Sequence, residues 1–231
     1  MTYDTILFDL DGTLTDSGEG IINCAWYALD HFGIPRPSKE EMRVFVGPPL
    51  WDTFLKFGVP ADKTDEAVTV FRSRYIPIGK YENTPYPGIR ELLAGLKKQG
   101  FQLFVATSKP ETTSIDILEH FDLAQYFDRI CGADLEGGRN SKSQVISYLL
   151  EHTGKEHTMV MVGDTAFDVL GAAEHGIPTV GVTWGYGENA DIQAAGAIAM
   201  VDTPQALFDL LTAPESPDTD AANTPAAIHK P

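Results

Sequence analysis

Five short apolar runs punctuate the chain, at 5–8, 101–106, 129–131, 158–162 and 178–182. Each is dominated by Val, Ile, Leu or Phe and gives way to small or polar residues and then a helical pattern. Near-continuous runs of this kind suit parallel strands buried on both faces. Between them, apolar positions recur at helical spacing over 89–99, 112–121, 142–152 and 166–175,. Strands alternating with helices of that size imply right-handed crossovers, and so an α/β fold on a doubly wound parallel sheet. Ligands of such sheets bind beyond the carboxyl ends of the strands. The residues that end each run are therefore the candidates for chemistry.

The first gap breaks the rhythm, because residues 9–100 are far more than one crossover needs,. This stretch carries helical patterns only, predicted over 19–32, 39–45, 50–57 and 62–78. The first places Ile21, Ile22, Ala25, Trp26, Leu29 and Phe32 on one face and ends at Gly33,. An all-helical insert that leaves and re-enters at the active edge reads as a cap. The expected division is a core of 1–15 and 86–211, a cap of 16–85, and a flexible tail of 212–231 that lacks apolar surface to offset ordering entropy,. The stiff, turn-like return Thr84-Pro85-Tyr86-Pro87-Gly88 fits a hinge strut,.

The run ends are rich in charge. The first stops at Asp9 and Asp11, with Gly12 following at once. Two neighbouring acids at a buried strand end repel each other and resist desolvation, so a cation or a proton must offset them. The second run delivers Thr107, Ser108 and Lys109, and the fourth delivers Asp164, with Asp168 one helical turn on. Lys142 opens the helix after the third run and can lean over the same edge. Hard carboxylate oxygens with open positions suit Mg²⁺, which commonly binds through a few carboxylates plus substrate phosphate. A carboxylate beside the ion can serve as nucleophile.

Composition narrows the partners. The chain has 231 residues and a formal net charge of −16, with no basic stripe to engage nucleic acid,. An anionic substrate would be repelled at long range, so a phosphate site must carry its own cations. Mean hydropathy is −0.12, and no apolar stretch reaches membrane-spanning length,. A cytoplasmic protein without a membrane partner, monomeric or weakly dimeric, is the expectation. Cys24 and Cys131 lie far apart in apolar settings and read as small buried hydrophobes,. The six histidines lack ligand spacing.

Taken in order, Asp9-Leu10-Asp11-Gly12-Thr13-Leu14, Thr107-Ser108-Lys109-Pro110, Lys142 and Gly163-Asp164-Thr165-Ala166-Phe167-Asp168 resemble the four motifs of the haloacid dehalogenase superfamily. The Thr-Ser-Lys-Pro continuation, Tyr86-Pro87-Gly88 and the 181–187 loop place the resemblance in its phosphoglycolate-phosphatase-like branch. It spans roughly 4–211. The resemblance implies a phosphomonoester hydrolase acting on a small phosphorylated metabolite, phosphoglycolate-like or nucleotide-like. Asp9 would attack phosphorus, and Asp11 would protonate the leaving oxygen and later deprotonate water. Mg²⁺ would be held by Asp9, the Asp11 carbonyl and Asp164, with Asp168 a ligand through water or the orienter of Lys142. Thr107, the backbone around Ser108, Gly12 and Lys142 would hold the phosphate, with Lys109 either a substrate contact or a surface charge.

Other functions fit less well. A sugar-phosphate mutase resembling β-phosphoglucomutase would carry an arginine in the cap loop, whereas 45–51 contains no cation and Arg43 lies only nearby. A dehalogenase has no need of Asp11, and a phosphonatase would want a cap lysine that neither Lys39 nor Lys56 supplies in a recognisable motif. A signalling receiver module has no place for the insert. A non-catalytic binding protein would be expected to lack one of the core groups, and none is missing.

Overall fold

The computed structural model describes residues 3–134, 138–153 and 157–214. In chain order the elements are β1 (Thr5–Phe8), β2 (Thr15–Asp16), α1 (Gly18–His31), α2 (Leu50–Lys56), α3 (Thr64–Tyr75), β3 (Thr84–Pro85), α4 (Ile89–Lys98) and β4 (Gln102–Pro110). They continue with α5 (Glu111–His120), β5 (Arg129–Ala133), α6 (Lys142–Thr153), β6 (Met159–Gly163), α7 (Ala166–Ala173), β7 (Thr179–Val182), α8 (Asn189–Ala194), β8 (Ala199–Val201) and α9 (Pro204–Thr212). Six strands form one parallel sheet in the order β5-β4-β1-β6-β7-β8.

Alternation along the strands builds both faces. Ile6 and Phe8 of β1, Leu103 and Val105 of β4 and Val160 and Val162 of β6 pack with the apolar sides of α4, α5 and α9. Leu7, Phe104, Ala106, Cys131 and Met161 face the other way, onto Val145, Ile146 and Leu149 of α6 and Ala172 of α7. Every residue of β1 is fully buried, as expected for a central strand covered on both sides,. Cys24 and Cys131 are free and buried.

The regular elements of residues 18–81 are all helices or 3₁₀ turns, and they carry a separate apolar cluster that includes Ile22, Leu29, Met42, Phe45, Phe54, Val68 and Phe71. The two chain crossings into and out of this insert pair as β2 and β3, antiparallel, Thr15 opposite Pro85 and Asp16 opposite Thr84. Gly88 takes a left-handed φ of 88° at the start of α4.

The apolar pattern locates all five predicted strands and their helices. It overreaches in the insert. The helix predicted over 62–78 is a 3₁₀ turn at Ala61–Lys63 followed by α3, which ends at Tyr75. Ile76 keeps helical backbone (φ −63°, ψ −49°) and donates to Arg72 O, but Pro77 has no N–H to continue the ladder, and the regular helix ends there,. The helix predicted over 39–45 is a 3₁₀ turn, Glu41–Phe45, cut short before Gly47-Pro48-Pro49. The pattern does not predict β8, α8 or α9. For α9 the signal was present: Thr203 Oγ1 accepts from Ala206 N at 3.1 Å and Pro204 occupies the first helical position,. Among the described residues no helix is long and apolar enough to cross a membrane. Most of the tail predicted over 212–231 lies outside the described residues.

Candidate active site

β1 is hydrogen-bonded on both sides, to β4 and to β6, so its carboxyl end opens into the middle of the sheet edge. Asp9 extends the ladder, its N donating to Val162 O at 2.9 Å. The chain then turns sharply at Gly12, with φ 82°. Glycine is needed there twice over: a Cβ would be strained by the left-handed backbone and would lie 2.1 Å from Asp164 Oδ2,. Gly12 N donates to Thr15 O at 2.9 Å. Its N–H closes the turn, and its missing side chain admits Asp164.

Asp164 leaves the end of β6 almost fully buried and accepts from Thr13 Oγ1 at 3.0 Å and Tyr186 N at 2.9 Å. Asp168 sits in the first turn of α7 as half of a capping box,. Its Oδ2 accepts from Thr165 N at 3.0 Å and Thr165 Oγ1 at 2.8 Å, and its Oδ1 pairs with Lys142 Nζ at 2.7 Å. Asp168 thus meets Lys142 while its carboxylate also lies among the buried acids.

Lys142 is no solvated helix-start charge. It is buried, donates to Ala106 O at 2.8 Å, and pairs with Asp9 Oδ1 and Asp168 Oδ1, each at 2.7 Å. Burial works against its charge, yet Asp168 and Asp9 together hold its pKa above the ordinary lysine value,. Thr107 is buried and Ser108 exposed at the irregular end of β4. Thr107 Oγ1 accepts from Lys109 N at 3.3 Å and does not cap α5, which follows Pro110 without a side-chain cap. Lys109 is not a surface charge either. It is buried, bonds Asp11 Oδ2 at 2.6 Å, and lies 5.1 Å above the ring of Tyr75, which the insert contributes. Asp11 Oδ1 is left without a hydrogen-bond partner.

Asp9, Asp164 and Asp168 are all buried and present carboxylate oxygens within 4.8 Å of one another. Burial pushes the Asp9 carboxyl up to about 6 in spite of Lys142. Burial, reinforced by Asp168 and Asp9, pushes Asp164 up to about 8. Three acids against one buried lysine leave negative charge uncompensated, and a divalent cation would reverse both upward shifts. The donor set therefore fits a metal ion. The carboxylate of Asp11, whose carbonyl is the atom expected at the metal, is bonded to Lys109.

Three residues of this neighbourhood escape the sequence reading. Thr13 lies inside the first motif and reveals itself only through its bond to Asp164. Tyr186 belongs to the 181–187 loop; its OH bonds Asp16 and accepts from Gly18 N at 2.7 Å, while its ring packs under Arg43 at 5.4 Å. Tyr75 reaches the site across the boundary between insert and core. The histidines with bonded partners, such as His31 with Glu66 and His175 with Ser143, stay outside the cluster.

The haloacid dehalogenase-like hydrolase family matches residues 6–182. The chain belongs to this family. A 5′-nucleotidase of Pseudomonas aeruginosa is 40% identical over 197 residues, covering 84% of this chain and 89% of the relative. Tyrosine-protein kinase PtkA of Mycobacterium tuberculosis is 44% identical over 183 residues, 79% of this chain but 62% of that protein. A solved PtkA structure from the same organism superposes with a TM-score of 0.81 at 39% identity, covering 91% of this chain and 99% of that one. A phosphoglycolate phosphatase of Caulobacter vibrioides is 30% identical over 226 residues, 93% of this chain and 95% of the relative. This hydrolase therefore has phosphoglycolate-phosphatase-like relatives along nearly its whole length.

Proposed function

We propose that this hydrolase is a Mg²⁺-dependent phosphatase of small phosphorylated metabolites, working through an aspartyl-phosphate, with the helical insert as its cap. The observation that carries the reading is the convergence of Asp9, Asp164, Asp168 and Lys142 from four separate elements at one sheet edge. Phosphoryl transfer needs positioning and charge neutralisation more than covalent machinery, and this cluster offers both.

In the first step a carboxylate oxygen of Asp9 forms a bond to phosphorus as the ester oxygen departs with its electron pair. Asp11 donates a proton to that oxygen through Oδ1, the atom left free while Oδ2 holds Lys109,. In the second step water attacks phosphorus, its proton passes to Asp11, and the bond to Asp9 breaks to release inorganic phosphate. Asp9 and Asp164 would hold Mg²⁺, which supplies charge neutralisation for the phosphoryl oxygens. Lys142, fixed by Asp168 and Ala106 O, stabilises the same charge from the other side,. Thr107 and the backbone near Ser108 donate to the remaining oxygens.

Hydrolysis is favoured over the mutase alternative because 45–51 has no cation to grip a second phosphate, and Arg43 is stacked on Tyr186. Phosphate release from a panel of metabolite monoesters, with and without Mg²⁺ and with Asp9→Asn alongside, tests the reading. Metal-dependent release that disappears in Asp9→Asn supports it. Equal release by the two proteins contradicts it, as does isomerised sugar phosphate accumulating faster than free phosphate.

A further inference from the structure

Asp11 has to present one carboxylate oxygen to the departing ester oxygen, and very little holds it in place. Among the described residues its carboxylate has a single hydrogen-bond partner, Lys109 Nζ at 2.6 Å from Oδ2, while Oδ1 is buried and unbonded. The aim of Oδ1 is therefore set by where the Lys109 ammonium stands. A lysine ammonium is a compact charge on a flexible four-carbon stem and does not fix its own position.

The core holds Lys109 at its base. Its N donates to Thr107 Oγ1 at 3.3 Å, and Gly132 passes so close that a Cβ there would lie 2.5 Å from Lys109 O. The insert holds it at its tip. Nζ lies 5.1 Å from the centroid of the Tyr75 ring, and both residues are buried. Attraction between an ammonium and a ring face is strongest where water is excluded. Tyr75 is itself fixed. It closes α3 and stacks on Phe71, with centroids 5.2 Å and planes 20° apart. A Cβ on Gly79 would lie 3.0 Å from Tyr75 Cδ2, so the ring is confined on that side as well. The Tyr75 hydroxyl is buried without a hydrogen-bond partner, which leaves the ring as the part that meets Lys109.

We propose that Tyr75 is a positioning residue for protonation of the leaving group: by seating Lys109, its ring aims Asp11 Oδ1 at the ester oxygen. The inference rests on the hydrolase reading above and adds one residue of the insert to it. Tyr75 acts through Lys109 and need not touch phosphate. Its loss should slow the step that needs a well-aimed proton and spare the step that does not.

Two esters of similar size separate this role from a merely structural one. The nitrophenolate of p-nitrophenyl phosphate departs without a proton, whereas the alkoxide of benzyl phosphate must take one as its bond to phosphorus breaks. Measured with Mg²⁺, kcat/KM covers the steps up to aspartyl-phosphate and leaves out the later work of Asp11 on water. Tyr75→Met fills the space with an apolar chain and no ring. It is expected to lower kcat/KM about tenfold or more for benzyl phosphate, within the range of about 10²–10⁴-fold that a positioned acid contributes. For p-nitrophenyl phosphate the expected loss is less than about threefold. Lys109→Met should show the same asymmetry. Tyr75→Phe, which keeps the ring, should recover the parent's ratio between the two esters to within about twofold. Should Tyr75→Met fail to fold, Tyr75→Leu carries the same expectation. Equal losses on both esters, or a Tyr75→Phe variant as impaired as Tyr75→Met, would overturn the inference and leave the hydrolase reading standing. If the parent hydrolyses neither these esters nor any metabolite monoester, both fall.

Discussion

The sheet core and the helical insert are packed differently, and the difference divides their work. In the core, central strands are wholly buried and register is locked by ladders on both sides of β1. That rigidity is what allows several buried charges to be held at 2.6–2.8 Å from their partners. The insert packs short helices and 3₁₀ turns around its own cluster and leaves Val44, Trp51 and Leu55 substantially exposed. Its contacts with the core include Tyr75 with Lys109, Tyr186 with Asp16, Gly18 and Arg43, Lys80 with Asp116, and Tyr81 with His120. A scaffold that must keep like charges together needs the stiff architecture.

Removing the core's buried cation should break this division most severely. Lys142→Met leaves Asp9 and Asp168 without their shared partner, so phosphate release should fall by about 10²–10³-fold. Breaking a buried pair also costs stability, about 3–5 kcal/mol by chemical denaturation. A variant as active and stable as the parent would mean that the cluster does not need its lysine.

Phe54→Ala attacks the insert instead. Phe54 is fully buried between Phe45 and Phe71, and its loss should cost about 3–5 kcal/mol,. Hydrogen exchange should locate the damage in residues 18–81 while the amides of β1 and β4 keep their protection. Loss of protection in the sheet to the same extent would show that the two regions are one cooperative unit.

A smaller effect is expected from Thr13→Val, which removes a hydroxyl bonded to Asp164. Partners that orient a metal ligand typically contribute about 10–100-fold to metal affinity. Mg²⁺ titration by calorimetry should show a weakening in that range with little change in fold. Unchanged affinity would remove Asp164 from the metal set.

The mildest prediction concerns pH. The metal-free fold holds Asp9 near 6 and Asp164 near 8, against 3.8 for an ordinary aspartate. Between about pH 4 and 8 the folded state therefore binds more protons than the unfolded one, and stability falls as pH rises. Mg²⁺ requires the carboxylate forms, so its stabilising effect grows in the same direction. The Mg²⁺-induced rise in Tm should be larger at about pH 8 than at about pH 5, and a reversed order would contradict the assigned cluster.

The sheet was legible in the chain because a strand buried on both faces must be apolar almost without interruption, as Thr5–Phe8 and Met159–Gly163 are. The acids were legible because Asp9, Asp11 and Asp164 stand where those runs stop. Interactions between distant segments were not. Nothing in the local pattern links Thr13 to Asp164, Tyr186 to Asp16, or Tyr75 to Lys109, since each contact depends on how the insert and the 181–187 loop fold back. Lys109 shows the limit well: its neighbours in sequence do not say whether it meets solvent or a carboxylate. The insert's turns were misread because proline and glycine cut short patterns that periodicity alone would extend.

The central claim is that Asp9 forms a covalent bond to phosphorus. Acid quenching during turnover, followed by peptide mass spectrometry, tests it directly. The account predicts a phosphate on the peptide containing Asp9, dependent on substrate and Mg²⁺ and absent from Asp9→Asn. Full turnover with no phosphorylated peptide at any quench time, or with the phosphate on another residue, would contradict it.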